Sequence, residues 1–401
     1  MFEAKISQRA LLTPPSPIRR LSHLARAAKN SGAHVYHLNI GQPDIESPEQ
    51  YFTGLTRFKE KLVAYENSQG NDALRASWSS YANRTLGLKT EPADFLITTG
   101  ASEALIFSFS VCCDPGDEII IFDPTYANYI GFACVDGVKL VPVACWLDQN
   151  FALPSVDKIK EKITPRTKAI LLCNPNNPTG TVYTKTELEM LLRICEERKL
   201  FLIVDETYRE FIYDGQKPLS ILHLADKHPL VIVIDSLSKR FSLCGARLGC
   251  LITFNEQVMS ATTNMAQARL ASPTLEQVAA SYMLDKIPDN YMTNAINEYK
   301  KRRDILFKCL QDIPGVEAHK PAGAFYMIAR LPLKDAEAFA SFLLKEFRHQ
   351  NSTTFLAPAA GFYIDHANGR GFNKVRVAYV LKEEDIIKAT EIIKLGLKSF
   401  L

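Results

Sequence analysis

The chain has 401 residues, 23% of them charged, and a formal net charge of +3. It is too long for one compact unit, and its charge forms neither a basic nucleic-acid face nor an acidic tail, so two domains and no nucleic-acid partner are expected. Nine cysteines, an odd number without a Cys-x-x-Cys pair and with Cys173 and Cys250 inside apolar runs, point to buried thiols in a reducing compartment. Neither a disulfide framework nor a metal site is expected.

The first residues, Met-Phe-Glu-Ala-Lys-Ile-Ser, lack the apolar core of a signal peptide. No run approaches the ~20 apolar residues of a membrane span. A cytoplasmic protein without membrane contact is therefore expected. Residues 1–18 read as an irregular arm, because Pro14, Pro15 and Pro17 oppose a helix until Ser16 caps one from about Ile18 to Asn30. Residues 38–44, Leu-Asn-Ile-Gly-Gln-Pro-Asp, form a loop; the amide of Gly41 either approaches a ligand or merely belongs to a crossing turn.

From about Ser47 helices alternate with short apolar strands. A helix over 73–81 is followed by strands at 95–99, 118–122, 138–143, 168–173, 200–204, 230–234 and 248–253, with helices such as 102–111 and 185–198 between them. Seven runs rich in β-branched residues predict an α/β fold with a mainly parallel seven-stranded sheet and helices on both faces. Ligands bind such sheets beyond the carboxyl ends of their strands. After Ala279 the pattern changes to a long helix over 290–310, the segment Gly323-Ala324-Phe325-Tyr326-Met327, a helix over 336–346, a strand over 374–379 and a last helix from Glu383. The expected division is an arm and part of the small domain in 1–46, a large domain in 47–285 and a smaller α+β domain in 286–401.

The polar residues fall at the strand ends. The run 230–234 delivers the chain to Ser236-Leu237-Ser238-Lys239, and Arg247 follows between Gly245 and Gly249. A lysine beside hydroxyls at the end of a buried strand is oddly placed for a solvated charge, whereas a lysine that bonds a carbonyl needs a dry pocket. Gly100-Ala101-Ser102 opens a helix whose first amides suit a phosphate, or simply packs closely. Asn174-Pro175-Asn176-Asn177-Pro178-Thr179-Gly180 is a rigid loop able to aim the Asn177 amide at a ring substituent. Asp205-Glu206-Thr207-Tyr208 ends another strand, where a buried carboxylate needs a cation, though one of the two acids suits a helix cap instead. Tyr126 offers a ring face or fills the core. Arg376, in Val-Arg-Val, either holds a carboxylate bidentately or makes a structural ion pair.

Together these residues resemble the pyridoxal-phosphate enzymes of fold type I, specifically the class I and II aminotransferases. Asn-Pro-x-Asn-Pro-Thr-Gly, Asp-x-x-Tyr and Ser-x-Ser-Lys followed by Gly-x-Arg-x-Gly stand in family order, and the match runs from about Ile18 to the end. The resemblance implies that Lys239 bonds the cofactor and later moves the substrate proton. It implies that Asp205 keeps the pyridine nitrogen protonated and that Tyr208 and Asn177 bond the ring oxygen. Tyr126 would stack on the ring, while Ala101, Ser102, Ser236 and Arg247 would hold the phosphate. Tyr65 looks like the residue that reaches the neighbouring subunit's phosphate, which implies a homodimer with shared active sites. Arg376 with Gly41 and Asn177 would bind the substrate α-carboxylate.

Two positions depart from the pattern. Ser102 stands where many aspartate-specific members place a lysine, and Arg269, in the loop from which another branch supplies a substrate arginine of the partner subunit, has an unexpected spacing to Pro273. The expected role of Arg269 is to bind the second carboxylate of a dicarboxylic substrate. The expected activity is amino transfer from an L-amino acid, first of all aspartate, to a 2-oxo acid such as 2-oxoglutarate, in a ping-pong cycle. Aromatic, alanine or kynurenine transamination, a lyase on the same fold, and a non-catalytic ligand-binding module are the alternatives.

Overall fold

In the computed structural model, residues 4–225 and 227–401 are described; residues 1–3 of the expected arm lie outside them. The first strand, β1 (His34–His37), belongs to a small pair treated below. The next seven form one sheet: β2 (Phe95–Thr99), β3 (Glu118–Asp123), β4 (Lys139–Ala144), β5 (Thr167–Cys173), β6 (Phe201–Asp205), β7 (Val231–Ser236) and β8 (Leu248–Thr253), in the order 2-8-7-6-5-3-4. All seven coincide with the apolar runs in the sequence. Every residue of β3, β7 and β8 is buried, as strands covered on both faces require. Edge strand β4 is half-exposed and carries Pro142, whose missing N–H is tolerated there.

Only β8 runs against the others, pairing antiparallel with both β7 and β2. The reason is the connection over residues 237–247. It contains only the one-turn helix Leu237–Arg240 and is too short for the crossover that a parallel return demands. Lys239 and Arg247 are thereby folded back over the same sheet edge at which β2, β3, β5, β6 and β7 end.

Helices flank the sheet. Asp72–Leu86 starts where the Asn71 side chain accepts from the amides of Ala73 and Leu74, and stops at left-handed Gly87. Helix Glu49–Leu55 crosses Thr274–Lys286 at Gly54, where a Cβ would lie 2.7 Å from both Cα and the carbonyl oxygen of Ala279. Because backbone cannot yield as a side chain does, Gly54→Val is expected to cost about 1–3 kcal/mol of stability. A denaturation midpoint equal to that of the wild type would contradict it.

The rest of the chain builds a second layered region. After β9 (Glu317–Ala318), β10 (Tyr326–Arg330), β11 (Ser352–Phe355), β12 (Ala357–Pro358) and β13 (Lys374–Ala378), the order 12-13-10-9 forms an antiparallel sheet, and β1 pairs in parallel with β11. Helices Asn290–Gln311, Ala336–Lys345 and Glu383–Phe400 pack here; the last buries Ile386, Ala389, Ile393 and Leu397, a single helical stripe.

The start of the chain differs from expectation. Gln8–Leu12 is a short helix, capped by Ser7, and Arg9 Nη1 donates to the Val135 carbonyl at 3.0 Å. The next helix is Ser22–Asn30 rather than one beginning at Ile18. The Ser16 carbonyl instead closes a turn, accepting from the amides of Arg19 at 3.1 Å and Arg20 at 3.0 Å. All nine cysteines are free, five of them buried. Among the described residues no helix is long and apolar enough to cross a membrane.

Candidate active site

At the common edge of the strands lies a cavity of about 120 Å³ lined by Ala101, Ser102, Tyr126, Asn177, Asp205, Tyr208, Ser236, Lys239 and Arg247. A second cavity, about 280 Å³, shares Tyr126, Asn177, Tyr208 and Lys239 with it and adds Gly41 and Arg376. Eleven of the thirteen residues singled out in the sequence thus line one divided pocket, with Lys239 at the division.

Lys239 rides on helix Leu237–Arg240, whose start is capped by Ser236 Oγ accepting from the Ser238 amide at 3.1 Å. Its Nζ donates to the Gly41 carbonyl at 3.0 Å and lies 3.8 Å from Cys244 Sγ, a neighbour the motifs did not announce. Beneath it runs a buried ionic network. Asp235 accepts from Arg240 at 2.8 Å, Arg209 at 3.0 Å and Trp78 at 3.1 Å, while Glu210 meets Arg240 at 2.7 Å. Glu206 belongs to this network, accepting from Arg209 at 2.9 Å and from the Ile221 amide at 2.8 Å. Of the paired acids, then, Glu206 ties the scaffold and Asp205 faces the cavity.

Asp205 is 5% exposed and accepts from Tyr129 Oη at 2.7 Å and from the Thr207 amide at 3.1 Å, but among the described residues no cation pairs with it. Burial raises its pKa above the ordinary carboxylate value. Tyr208 Oη lies 2.9 Å from Tyr326 Oη; burial, reinforced by Tyr326, pushes its phenol well up, so it is a neutral donor. Tyr129 and Tyr326 were not foreseen.

At the other end of the cavity the helix Ala101–Cys112 begins after Gly100, and no side chain caps its first amides. Gly100 has φ +76°, and a Cβ on it would strike Arg247 Nη2 at 2.4 Å. A Cβ on Gly249 would fall 2.5 Å from the Ala101 amide nitrogen. Gly100 thus leaves room for Arg247 and Gly249 lets β8 pass close to an open helix N-terminus, an arrangement suited to a dianion.

Arg376, in the middle of β13, is 1% exposed. Nη1 donates to Asn177 Oδ1 at 3.1 Å and Nη2 to the Asn39 carbonyl at 2.6 Å, and the guanidinium lies over the rings of Tyr326 and Phe362. Nε has no partner, and no carboxylate pairs with the group among the described residues. Burial without an anion pulls its pKa below the ordinary value. A buried anion lacking a cation and a buried cation lacking an anion thus flank Lys239.

Two expected residues stand apart. Tyr65 is 81% exposed and lines neither cavity. Arg269 is turned into its own chain, Nε donating to Glu103 at 3.0 Å and Nη2 to the Ile97 carbonyl at 2.8 Å, with Nη1 on the carbonyls of Leu270 and Ser68. Its charge is met by Glu103 within this chain, and it lines neither cavity.

Residues 33–386 match the family described as aminotransferase class I and II. An aspartate aminotransferase of Sulfurisphaera tokodaii is 32% identical over 369 residues, covering 89% of this chain and 88% of the relative. A (5-formylfuran-3-yl)methyl phosphate transaminase of Methanocaldococcus jannaschii is 30% identical, covering 97% and 98%. The solved alanine aminotransferase of Pyrococcus furiosus superposes with a TM-score of 0.89 at 32% identity, covering 98% of this chain and all of that one. The matched segment runs from β1 through β13 and so contains all three sheets and the whole edge on which the pocket is built. The chain belongs to the class I and II aminotransferases, enzymes that transfer amino groups with pyridoxal 5'-phosphate.

Proposed function

We propose that this aminotransferase moves the amino group of an L-amino acid to a 2-oxo acid by a ping-pong cycle, with aspartate and 2-oxoglutarate as first choice, and that the divided pocket holds pyridoxal 5'-phosphate and substrate. The observation that carries the reading is the pair of unmatched buried charges, Asp205 and Arg376, on either side of Lys239. The cofactor's ring nitrogen answers the first charge and the substrate α-carboxylate answers the second. The donor set fits the remainder of the cofactor as well. When bound, the cofactor supplies an aldehyde that condenses with amines and a ring that withdraws electrons from the substrate α-carbon.

The chain's own groups do the rest. Lys239 would hold the cofactor through its side-chain amine and would carry the substrate proton at Nζ, which donates to the Gly41 carbonyl. Ala101, Ser102, Ser236 and Arg247 would hold the phosphate, and Tyr126, lining the same cavity, would offer its face to the ring. Tyr208 and the Asn177 amide donate to the ring oxygen; Asn177 Oδ1 is taken by Arg376, which leaves its NH2 free to donate. Arg376, with Gly41 beside it, binds the α-carboxylate through its planar fork.

The exposed Tyr65 suits a reach into a partner's phosphate site, hence a homodimer, and nine free cysteines suit a cytoplasmic protein. Residues 47–285 form the cofactor domain, with 1–46 and 286–401 together the smaller one; the pairing of β1 with β11 supports that grouping. The test is an absorbance titration of the holoenzyme with single amino acids and no 2-oxo acid. Stoichiometric conversion of the aldehyde band to the amine band is expected. Release of ammonia or a thiol without that conversion would establish a lyase instead.

A further inference from the structure

We propose that Tyr326 is a positioning residue for amino transfer: its hydroxyl donates to Tyr208, which directs the Tyr208 proton to the cofactor's ring oxygen, and its ring backs Arg376. This deepens, and rests on, the aminotransferase reading above. Tyr326 opens β10 and is 3% exposed. Its hydroxyl has two acceptors within reach, Tyr208 Oη at 2.9 Å and the Gly41 carbonyl at 3.4 Å. The carbonyl already accepts from Lys239 Nζ at 3.0 Å, so the shorter contact takes the proton. Tyr208 then accepts from Tyr326 and keeps its own proton, for which it has no acceptor among the described residues. A hydroxyl that accepts one hydrogen bond donates the next more strongly, because the two bonds polarise each other.

The seat of this hydroxyl is built into two loops. A Cβ on Gly41 would fall 1.9 Å from Tyr326 Oη, so glycine at that position leaves the space the hydroxyl fills. Gly180, which ends the Asn177 loop, does the same for the backbone, since a Cβ on it would fall 2.7 Å from the Tyr326 carbonyl oxygen. On the other side the Arg376 guanidinium lies 4.4 Å from the centre of the Tyr326 ring. A ring face steadies a guanidinium without occupying the N–H groups that a carboxylate needs. One residue thus touches the acceptor of Lys239, the donor to the ring oxygen and the carboxylate clamp. A side chain that only filled the core would need no hydroxyl there.

The experiment uses the holoenzymes of wild type, Tyr326→Phe and Tyr326→Leu. It records the pH at which the bound cofactor's absorbance band shifts without substrate, then kcat and KM for the amino acid that the wild type converts fastest. When the Lys239 nitrogen loses its proton, the ring oxygen depends on Tyr208 and Asn177 alone, so a weakened Tyr208 moves the shift to higher pH. The charged groups lining the two cavities beside Lys239, namely Arg19, Asp205, Arg247 and Arg376, are common to all three proteins, as are Tyr126, Cys173 and Cys244. In Tyr326→Phe the band is expected to shift about 0.3–1 pH unit higher, with kcat about 2- to 10-fold lower and KM within about twofold, up to the worth of one neutral hydrogen bond. Tyr326→Leu should share that rise and also raise KM about 5- to 10-fold, because the ring behind Arg376 is lost. A band that shifts at the wild-type pH in Tyr326→Phe overturns the role of the hydroxyl, and a KM no higher in Tyr326→Leu than in Tyr326→Phe overturns that of the ring. If the wild type binds no cofactor or transaminates no amino acid, it is the parent reading that falls.

Discussion

Lys239→Ala is expected to lower kcat by about 10⁴-fold or more, the combined effect of removing the covalent anchor and the proton carrier. Among the described residues no other lysine lines either cavity, so no second lysine amine stands ready to replace it. The neighbouring thiol, Cys244, keeps its Sγ on the Ser238 carbonyl at 3.1 Å. The cofactor should nevertheless stay in place, because the glycine-framed helix end, Arg247 and Asp205 do not depend on the lysine. Single-turnover absorbance with excess aspartate, with and without added methylamine, measures this. Slow conversion that the free amine accelerates is expected. Retention of more than about a hundredth of the wild-type rate would remove Lys239 from its role and with it the proton path drawn here.

The strands and most of the pocket were legible because burial is written locally. A strand covered on both faces must be apolar throughout, and the polar residue that ends it stands out, as Asp205, Asn177 and Lys239 do. What could not be read depends on distant partners. Tyr129 meets Asp205 across 76 positions and Tyr326 meets Tyr208 across 118, and nothing beside either tyrosine marks it as part of a pocket. Arg269 shows the same limit in reverse. Its loop resembled that of a substrate arginine, but Glu103, 166 positions away, decides where it points. At the other extreme, β12 has only two residues and β1 is four residues that begin and end in histidine, too short for a period to declare itself. At Ser16 a turn and a helix cap look alike in sequence, since a serine followed by proline suits either. Asn39 settles the difference by holding the Ile18 carbonyl from a separate loop.

Asp205→Asn should move two observables in opposite directions: turnover falls about 10³-fold, while the cofactor-free protein at neutral pH becomes no less stable, or more so. Burial raises the folded pKa of Asp205 above the ordinary value of about 3.9. Stability linked to this group is therefore fully present below that ordinary value and is lost as pH rises through the raised one. Above that window the cofactor-free protein carries an ionised carboxylate with only Tyr129 and Thr207 to satisfy it. Asparagine removes the charge and keeps both contacts, its oxygen toward the Thr207 amide and its NH2 toward the tyrosine hydroxyl, which can accept. The wild type minus variant difference in melting temperature, taken without cofactor from pH 4 to 8, should thus grow more negative with pH. With cofactor bound the sign reverses, since a protonated ring nitrogen makes the carboxylate an asset and the variant leaves that nitrogen unmatched in a dry site. A variant less stable than the wild type without cofactor at neutral pH would refute the desolvation argument. Turnover within tenfold of the wild type would separate Asp205 from the ring nitrogen, and the unmatched charge at Arg376 would then have to carry the site alone.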